Sequence, residues 1–288
     1  MSLGAGSAAQ SEREQAPDVS IIVVAHSARD DLERCFASIE RHGAMPLETI
    51  LVDNASDDGT VEWVRGAHPE VRVVELGENR GVAAREEGLK VARAPLAMFL
   101  DSDAELTERA LPAMVAAMRE NPGWGLLGPR LVYPDGALQL SCRRFPPLFL
   151  PLLRRPPLDR AFGRSEAVRR HLMEDFDHER PRAVQYVLGA CQLFRLDLAR
   201  KAGPFDERIF YGPDDIDWCI RIRDAGGDVV YFPDATVIHA YRRMTHRNPL
   251  SYAAVRHLEA FLYFHWKYRR RRGELRRLDR ELDRRALA

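Results

Sequence analysis

The amino-acid sequence predicts an α/β protein: a Rossmann-like, mainly parallel central sheet flanked by helices, with a C-terminal helical extension. Three observations carry that expectation. Apolar β-branched runs alternate with segments of helical period through the first hundred residues, the pattern of βαβ units. Polar residues gather at the carboxyl ends of those runs, where open α/β sheets bind ligands. The 288 residues, 45% hydrophobic and 30% charged, suffice for one large domain with its own core and a short appendage. The expected division is a disordered leader over residues 1–17, a globular domain over 18–240 and a basic helical extension over 241–288.

The run from Val19 to Ala25 is continuously apolar and β-branched apart from Ser20, as in a strand buried on both faces. Asp31 to Arg41 places Leu32, Cys35, Phe36 and Ile39 at i, i+3, i+4 and i+7, one face of a helix. Strands are expected over Glu48–Val52, Val71–Glu75 and Leu96–Leu100, with helices starting at Thr60 and spanning Val82–Ala92. The stretch FPPLFLPLLRRPPL (145–158) is too rich in proline for a regular helix or central strand. Strand character returns over Val184–Phe194 and Asp228–Phe232, flanking a helix from Asp215 to Ala225 that Gly226-Gly227 stops. An aromatic helix over 251–268, an Arg269–Arg272 cluster and a charged helix close the chain.

The formal net charge is zero, so whole-molecule charge favours no class of partner, and nucleic acid is not expected. The distribution is uneven. From Tyr241 onward there are 14 Lys and Arg against 5 Asp and Glu, a net of +9, which leaves −9 on the rest. Such a tail reads either as an element for an anionic surface or as a solvated Arg-rich helix. The four cysteines form no C-x-x-C pair and no metal-ligand spacing, and are expected to be reduced thiols. The first residues contain no apolar signal core, and no stretch reaches 18 apolar residues. The expectation is a cytoplasmic protein whose contact with a membrane, if any, is peripheral.

Three segments carry candidate chemistry. In LAMFLDSDAEL a buried strand delivers Asp101 and Asp103 into a turn; carboxylates at i and i+2 suit a hard divalent ion, although Asp is also a common turn residue. In ILVDNASDDGT, Asp53 ends a strand where a base or ribose would sit, while turn chemistry alone accounts for Asp57, Asp58 and Gly59. In GPDDIDWCIRIRDAGG, Asp214, Asp215 and Asp217 crowd a helix N-terminus, where acids also serve the helix dipole. His239 ends the last strand-like stretch; a lone His there reads as structural or as a ligand.

Their order along the chain resembles the family 2 glycosyltransferases, and within them a bacterial rhamnosyltransferase-like group. The resemblance covers Val19 to His239, through VSIIVV, DNASDDGT, ENRGVA, FLDSDAEL, GPRLVYPDGALQLSCRRFP, GACQLFR, GPFDERIFYGPDDIDWCIRIRDAGG and VVYFPDATVIH. It implies a GT-A fold and an inverting, metal-dependent transfer from a nucleotide-sugar to an acceptor hydroxyl. Asp53 is then the carboxylate at the base, within a donor site of Ala25, His26, Asp53, Asn79, Gly81, Arg85, Asp101 and Ser102. Asp103 and His239 are the metal residues, for Mg2+ or Mn2+. Asp215 is the catalytic base, with Asp214, Gly189 and Ala190 on the acceptor side. The implied donors are dTDP-, UDP- or GDP-linked sugars. The implied acceptor is a glycan, often lipid-linked at the inner face of the plasma membrane, in cell-surface glycan biosynthesis. FLYFHWKYRRRR would suit that membrane through aromatics and cations, and would equally suit a homodimer contact or a packed helix.

The sequence departs from the family pattern at His26-Ser27, where Tyr-Asn is frequent, at Glu87, where Asn is common, and at Pro213 before the acidic pair. Three rivals remain at this stage. A haloacid dehalogenase-like phosphatase also sets D-x-D after a strand, but expects Thr or Val where Glu105 stands and places the motif after the first strand. A nucleotidyltransferase needs a Gly-rich phosphate loop that is missing here. A non-catalytic nucleotide-sugar-binding protein needs no intact acidic set.

Overall fold

In the computed structural model, which describes residues 16–150, 158–241 and 252–287, strand and helix alternate from the outset. β1 (Val19–Ala25), α1 (Arg29–His42), β2 (Leu47–Asp53), α2 (Thr60–Ala67) and β3 (Arg72–Glu75) lead to a 3-10 turn at Gly81–Ala84. Then come α3 (Arg85–Val91), β4 (Leu96–Asp101), β5 (Ala104–Leu106), α4 (Ala110–Glu120) and β6 (Trp124–Val132). The short pieces β7 (Leu138–Gln139), β8 (Cys142–Arg143), α5 (Leu158–Phe162), α6 (Glu166–Leu172), β9 (Arg182–Ala183) and β10 (Tyr186–Val187) precede β11 (Cys191–Arg195). α7 (Leu196–Ala202), α8 (Asp214–Asp224), β12 (Asp228–His239), α9 (Tyr252–Lys267) and α10 (Arg272–Leu287) complete the order. The leader expected over 1–17 falls almost wholly outside the described residues, as do positions 151–157 of the Pro-rich stretch.

The main sheet has ten strands, and its principal path runs β3-β2-β1-β4-β11-β6-β12-β5. β3, β2, β1 and β4 are mutually parallel, as are β6 and β12. β11 joins the two parallel blocks by running antiparallel to both β4 and β6. The fold is thus the expected α/β arrangement of a central sheet flanked by helices, with an antiparallel seam at β11 that was not expected. Helices cover it because their apolar stripes face inward, for example Leu32, Cys35, Phe36 and Ile39 of α1.

Three local expectations differ from the structure. The helix expected over Val82–Ala92 begins as a 3-10 turn, because Gly81 takes φ +56° to pass under Phe210. A Cβ at Gly81 would stand 2.1 Å from the Phe210 carbonyl oxygen. The stretch Val184–Phe194 is broken into β10 and β11 by the turn at Leu188–Ala190. β12 runs seven residues past Phe232, with an irregular register between Phe232 and Thr236 that accommodates Pro233, which has no N–H for the ladder.

Register positions the site. Ala25 pairs with Asp53, Val24 with Asp101, and Asp53 with Glu75, so the polar ends of four strands share one sheet edge. At the far side of the sheet, β12 pairs antiparallel with β5, and His239 stands opposite Ala104, next to Asp103. Beneath this edge, Phe99 of β4, Phe194 of β11, Phe205 and Trp218 of α8 form an aromatic cluster with ring centroids 4.7–5.7 Å apart. The cluster fixes the end of β4 relative to the start of α8.

The basic C-terminal helices fold back onto the domain. Lys267 Nζ and Tyr268 Oη reach Asp217 Oδ1 of α8 at 2.6 and 2.9 Å. Arg271 binds both Asp224 oxygens at 2.6 and 2.8 Å. Asp283 of α10 receives Arg144 and Arg182. Among the described residues, no helix is long and apolar enough to cross a membrane.

Candidate active site

Asp101, Asp103 and His239 converge at the sheet edge, and one ligand atom from each lies within 4.8 Å of the others. Asp103 Oδ1 is 3.3 Å from His239 Nε2. The ring is held from behind: His239 Nδ1–H donates to Gln139 Oε1 across 2.7 Å, which leaves Nε2 facing Asp103. Burial opposes charging His239, but the Asp103 hydrogen bond and the Asp101 and Asp103 charges outweigh it and raise its pKa. A preset imidazole and two carboxylates fit a divalent cation such as Mn2+ or Mg2+, with coordination positions left for phosphate oxygens.

Arg85 ties this group to α8. Its Nη2 donates to Asp101 Oδ1 at 2.9 Å, and its Nη1 to Asp214 Oδ2 at 3.0 Å. Nη2 also reaches the Gly189 carbonyl at 3.2 Å, and the guanidinium lies 4.9 Å above the Phe99 ring. A Cβ at Gly189 would approach Nη1 to 3.1 Å, so the turn needs a small residue there. The next residue, Ala190, accepts the Asp101 N–H at 2.9 Å. Arg85 is 7% exposed, and burial works against its charge, but Asp101 and Asp214 keep it ionised.

Asp214 and Asp215 open α8, and the preceding Pro213 supplies no side-chain cap. Burial raises the pKa of both carboxyls. For Asp214 the Arg85 charge opposes the rise, whereas for Asp215 the Asp214 charge adds to it. Asp215 Oδ1 accepts the Ile216 N–H at 2.8 Å, which orients the carboxylate. Asp217, the third acid, is 2% exposed and serves the C-terminal helices. The pair is therefore one buried, Arg-anchored carboxylate beside a partly buried one with a depressed acidity, the arrangement a general base requires.

On the opposite flank, Asp53 Oδ2 accepts the Ser56 N–H at 3.0 Å. Asp53 Oδ1 is buried with no hydrogen-bond partner among the described residues, next to an open depression lined by Ser56, Glu75, Leu76 and Gly77. An orphaned buried acceptor facing a depression fits a ring N–H of a nucleotide base. Of the other sequence-nominated residues, Ala25 lies at the strand end beside Asp53, and Ser102 sits partly buried between the two acids. His26 is exposed, and Asn79 Oδ1 accepts the Asn54 side-chain amide from the end of β2 and the Gly81 N–H of its own loop. The sequence marks Ser27 and Asn54 as polar strand ends but assigns them no role; the Ser27 N–H and Oγ reach Ser56 and Asp57, and Asn54 holds the Asn79–Gly81 loop. Sequence reasoning missed Gln139, whose role depends on a strand pairing that no local pattern announces.

Comparison with known proteins identifies the family. A model for Glycosyl transferase family 2 matches residues 20–202. The chain is 29% identical over 263 residues to the N-acetylglucosaminyl-diphospho-decaprenol L-rhamnosyltransferase of Mycobacterium tuberculosis, spanning 84% of this chain and 82% of that protein. Among solved structures it is similar to GalNAc-T7 with UDP, GalNAc and Mn2+ (TM-score 0.64, 15% identity, 88% of this chain and 49% of that one). It is also similar to the mannosyltransferase PcManGT of Pyrobaculum calidifontis in complex with GDP-Man and Mn2+ (TM-score 0.55, 23% identity, 86% of this chain and 70% of that one). At these identities the structures show a shared GT-A fold, in which the D-x-D strand is the fourth, not the first as a phosphatase would have it. The chain belongs to glycosyl transferase family 2, where it fits the rhamnosyltransferase-like group, and is a glycosyltransferase.

Proposed function

We propose that the protein is an inverting, metal-dependent transferase that moves a sugar, rhamnose in the first instance, from a nucleoside-diphosphate sugar to a hydroxyl of a lipid-linked glycan. The observation that carries this reading is the junction made by Arg85 between the Asp101–Asp103–His239 group and the Asp214–Asp215 pair. In this reading it would bring a diphosphate site and a base side by side. Rhamnose and the lipid-linked acceptor are suggested by the name of the mycobacterial relative, and Mn2+ by the ligands of the similar structures. An acceptor of that kind would place the enzyme at the cytoplasmic face of the plasma membrane, in cell-surface glycan assembly.

In this reading Asp53 Oδ1 receives the base, and Asp101, Asp103 and His239 hold the cation at the diphosphate. A cation bound there would supply Lewis-acid charge for the departing diphosphate. Asp215 takes the proton of the acceptor hydroxyl as its oxygen bonds to the anomeric carbon, and the bond from that carbon to the diphosphate oxygen breaks on the opposite face. General-base help of this kind contributes about 10²–10⁴-fold. Asp214, held by Arg85, keeps Asp215 weakly acidic and therefore a better proton acceptor.

The test is a thermal-shift panel of dTDP, UDP and GDP, each with and without Mn2+ or Mg2+, followed by transfer assays with the matching sugars. A nucleotide at about a hundred times its dissociation constant stabilises by about 2.7 kcal/mol. A shift with one nucleotide only in the presence of metal supports the reading and names the donor class. Equal shifts with and without metal would overturn the metal assignment, and no shift with any nucleotide would overturn the donor site.

A further inference from the structure

The C-terminal helices carry a surface that packing among the described residues does not explain. In α9, Phe261, Phe264 and the following Tyr268, aromatics that the sequence suggested for a membrane, are buried against the domain. The exposed apolar residues of the same helix are others: Val255 (44% exposed), Leu258 (36%), Leu262 (53%) and Trp266 (54%). Positions 255, 258, 262 and 266 lie at i, i+3, i+7 and i+11, one face of a helix, and extend over about 16 Å. Glu259, beside that stripe, is ion-paired with Arg256 at 3.1 Å.

The segment that follows the stripe carries an excess of cations. The acids of α10 are spent on cations: Asp279 and Asp283 on Arg144, Arg170 and Arg182 of the domain, Glu274 on Arg271, and Glu281 on Arg285. Arg270, Arg272, Arg276, Arg277 and Arg280 are exposed and make no ion pair among the described residues. Arg269 stacks on Trp266 with its guanidinium 4.3 Å from the ring, at the junction of stripe and arginines. An apolar helix face that ends in a Trp–Arg stack and is followed along the chain by unpaired arginines is complementary to the surface of an anionic bilayer, acyl boundary and headgroup together.

The stripe is also joined to the active site. Arg256 lies 5.1 Å above the Phe210 ring, and His257 packs at 6.2 Å from Tyr211. The loop through Phe210 and Tyr211 leads directly into Asp214 and Asp215. We infer that the Val255–Leu258–Leu262–Trp266 face of α9, with the exposed arginines of α10, docks the enzyme on an anionic lipid bilayer next to its acceptor side. The inference deepens the proposed lipid-linked acceptor but does not need it, because docking is measured without donor or acceptor.

The experiment is flotation of the full chain with vesicles of phosphatidylcholine alone or with about one-third phosphatidylglycerol, at low and high salt. Binding is expected only to the anionic vesicles, weakening about tenfold or more at high salt. Leu262→Glu with Trp266→Glu, both exposed, is expected to abolish binding while circular dichroism and turnover of a short water-soluble acceptor stay unchanged. Absence of binding to anionic vesicles, or binding that the double variant retains, would overturn the inference. So would a dimer in light scattering that the double variant converts to monomer with no vesicle binding, because the face would then belong to a second copy. Failed turnover with intact, stripe-dependent vesicle binding would instead count against the proposed transfer alone.

Discussion

Gln139 Oε1 accepts a hydrogen bond from His239 Nδ1 across 2.7 Å, and both residues are nearly inaccessible to solvent. Gln139 comes from β7, a two-residue strand paired to β6, and its Nε2 has no partner among the described residues. Only its oxygen is used, and that oxygen fixes which imidazole nitrogen faces Asp103. Gln139→Leu is therefore expected to weaken Mn2+ binding about 10–100-fold in a titration with nucleoside diphosphate present. Gln139→Glu keeps the acceptor and is expected to restore most of that affinity. Wild-type metal affinity in Gln139→Leu would remove Gln139 from the site.

Arg85 tests whether the two halves of the site act as a unit. Its planar fork reaches Asp101 and Asp214 with separate nitrogens, which a lysine ammonium cannot reproduce. Arg85→Lys keeps the charge and loses the span, so the distance between donor and base is no longer set. A loss in kcat on the order of 10²-fold is expected, with the change in KM much smaller. If kcat is unchanged and only KM rises, Arg85 serves donor binding alone.

The parts of this architecture legible in the sequence are those set by local period. The β-branched run Val19–Ala25 and the stripe Leu32, Cys35, Phe36 and Ile39 announce β1 and α1. Leu111, Met114, Val115 and Met118 of α4 carry the same kind of signal, but no helix was expected there. What could not be read depends on pairing between distant segments. β11 enters antiparallel between β4 and β6, and the meeting of His239 with Asp103 follows from the β12–β5 register. The acids at the start of α8 looked alike in sequence, yet Asp217 holds the C-terminal helices while Asp214 holds Arg85. The aromatic run before the arginines likewise divides into buried and exposed members only once α9 is docked.

The raised pKa of Asp215 gives a pH dependence with a definite sign. The base must be ionised, and burial together with the Asp214 charge makes ionisation harder than for an ordinary aspartate. Activity should therefore fall on the acid side at a pH well above the usual carboxylate range, read as the acid limb of kcat/KM against pH. Asp214→Asn removes the neighbouring negative charge and leaves the Arg85 charge uncompensated on that side. Both changes favour the Asp215 carboxylate, so the acid limb should move to lower pH. A limb that stays in place would mean that another group sets it.

Attachment of the C-terminal helices rests on Asp217, which is 2% exposed and accepts Lys267 at 2.6 Å, Tyr268 at 2.9 Å and Arg221 at 2.8 Å. Asp217→Ala leaves two cations facing an apolar gap, at a cost of about 3–5 kcal/mol. For a chain of this size each kcal/mol moves Tm by about 2–4 °C, so a loss on the order of 10 °C is expected. Lys267→Met leaves Asp217 two donors and should cost less, about 1.5–3 kcal/mol. The pH dependence follows from the same contacts. Burial disfavours charged Lys267, but Asp217 and Asp206 overcome this and raise its pKa. Its contribution is therefore complete below the unfolded lysine value of about 10.4 and is lost as pH rises through the higher folded value. For Asp206, burial is outweighed by the Lys267 and Tyr263 hydrogen bonds, and the pKa is lowered. Its contribution is present above the unfolded value of about 3.9 and disappears as pH falls through the lower folded one. Trypsin at neutral pH should release α9 and α10 from Asp217→Ala and leave them attached in the parent chain. Equal resistance of the two proteins would show that the buried Phe261 and Phe264 contacts and the ion pairs of Arg271 and Asp283 hold the helices without Asp217.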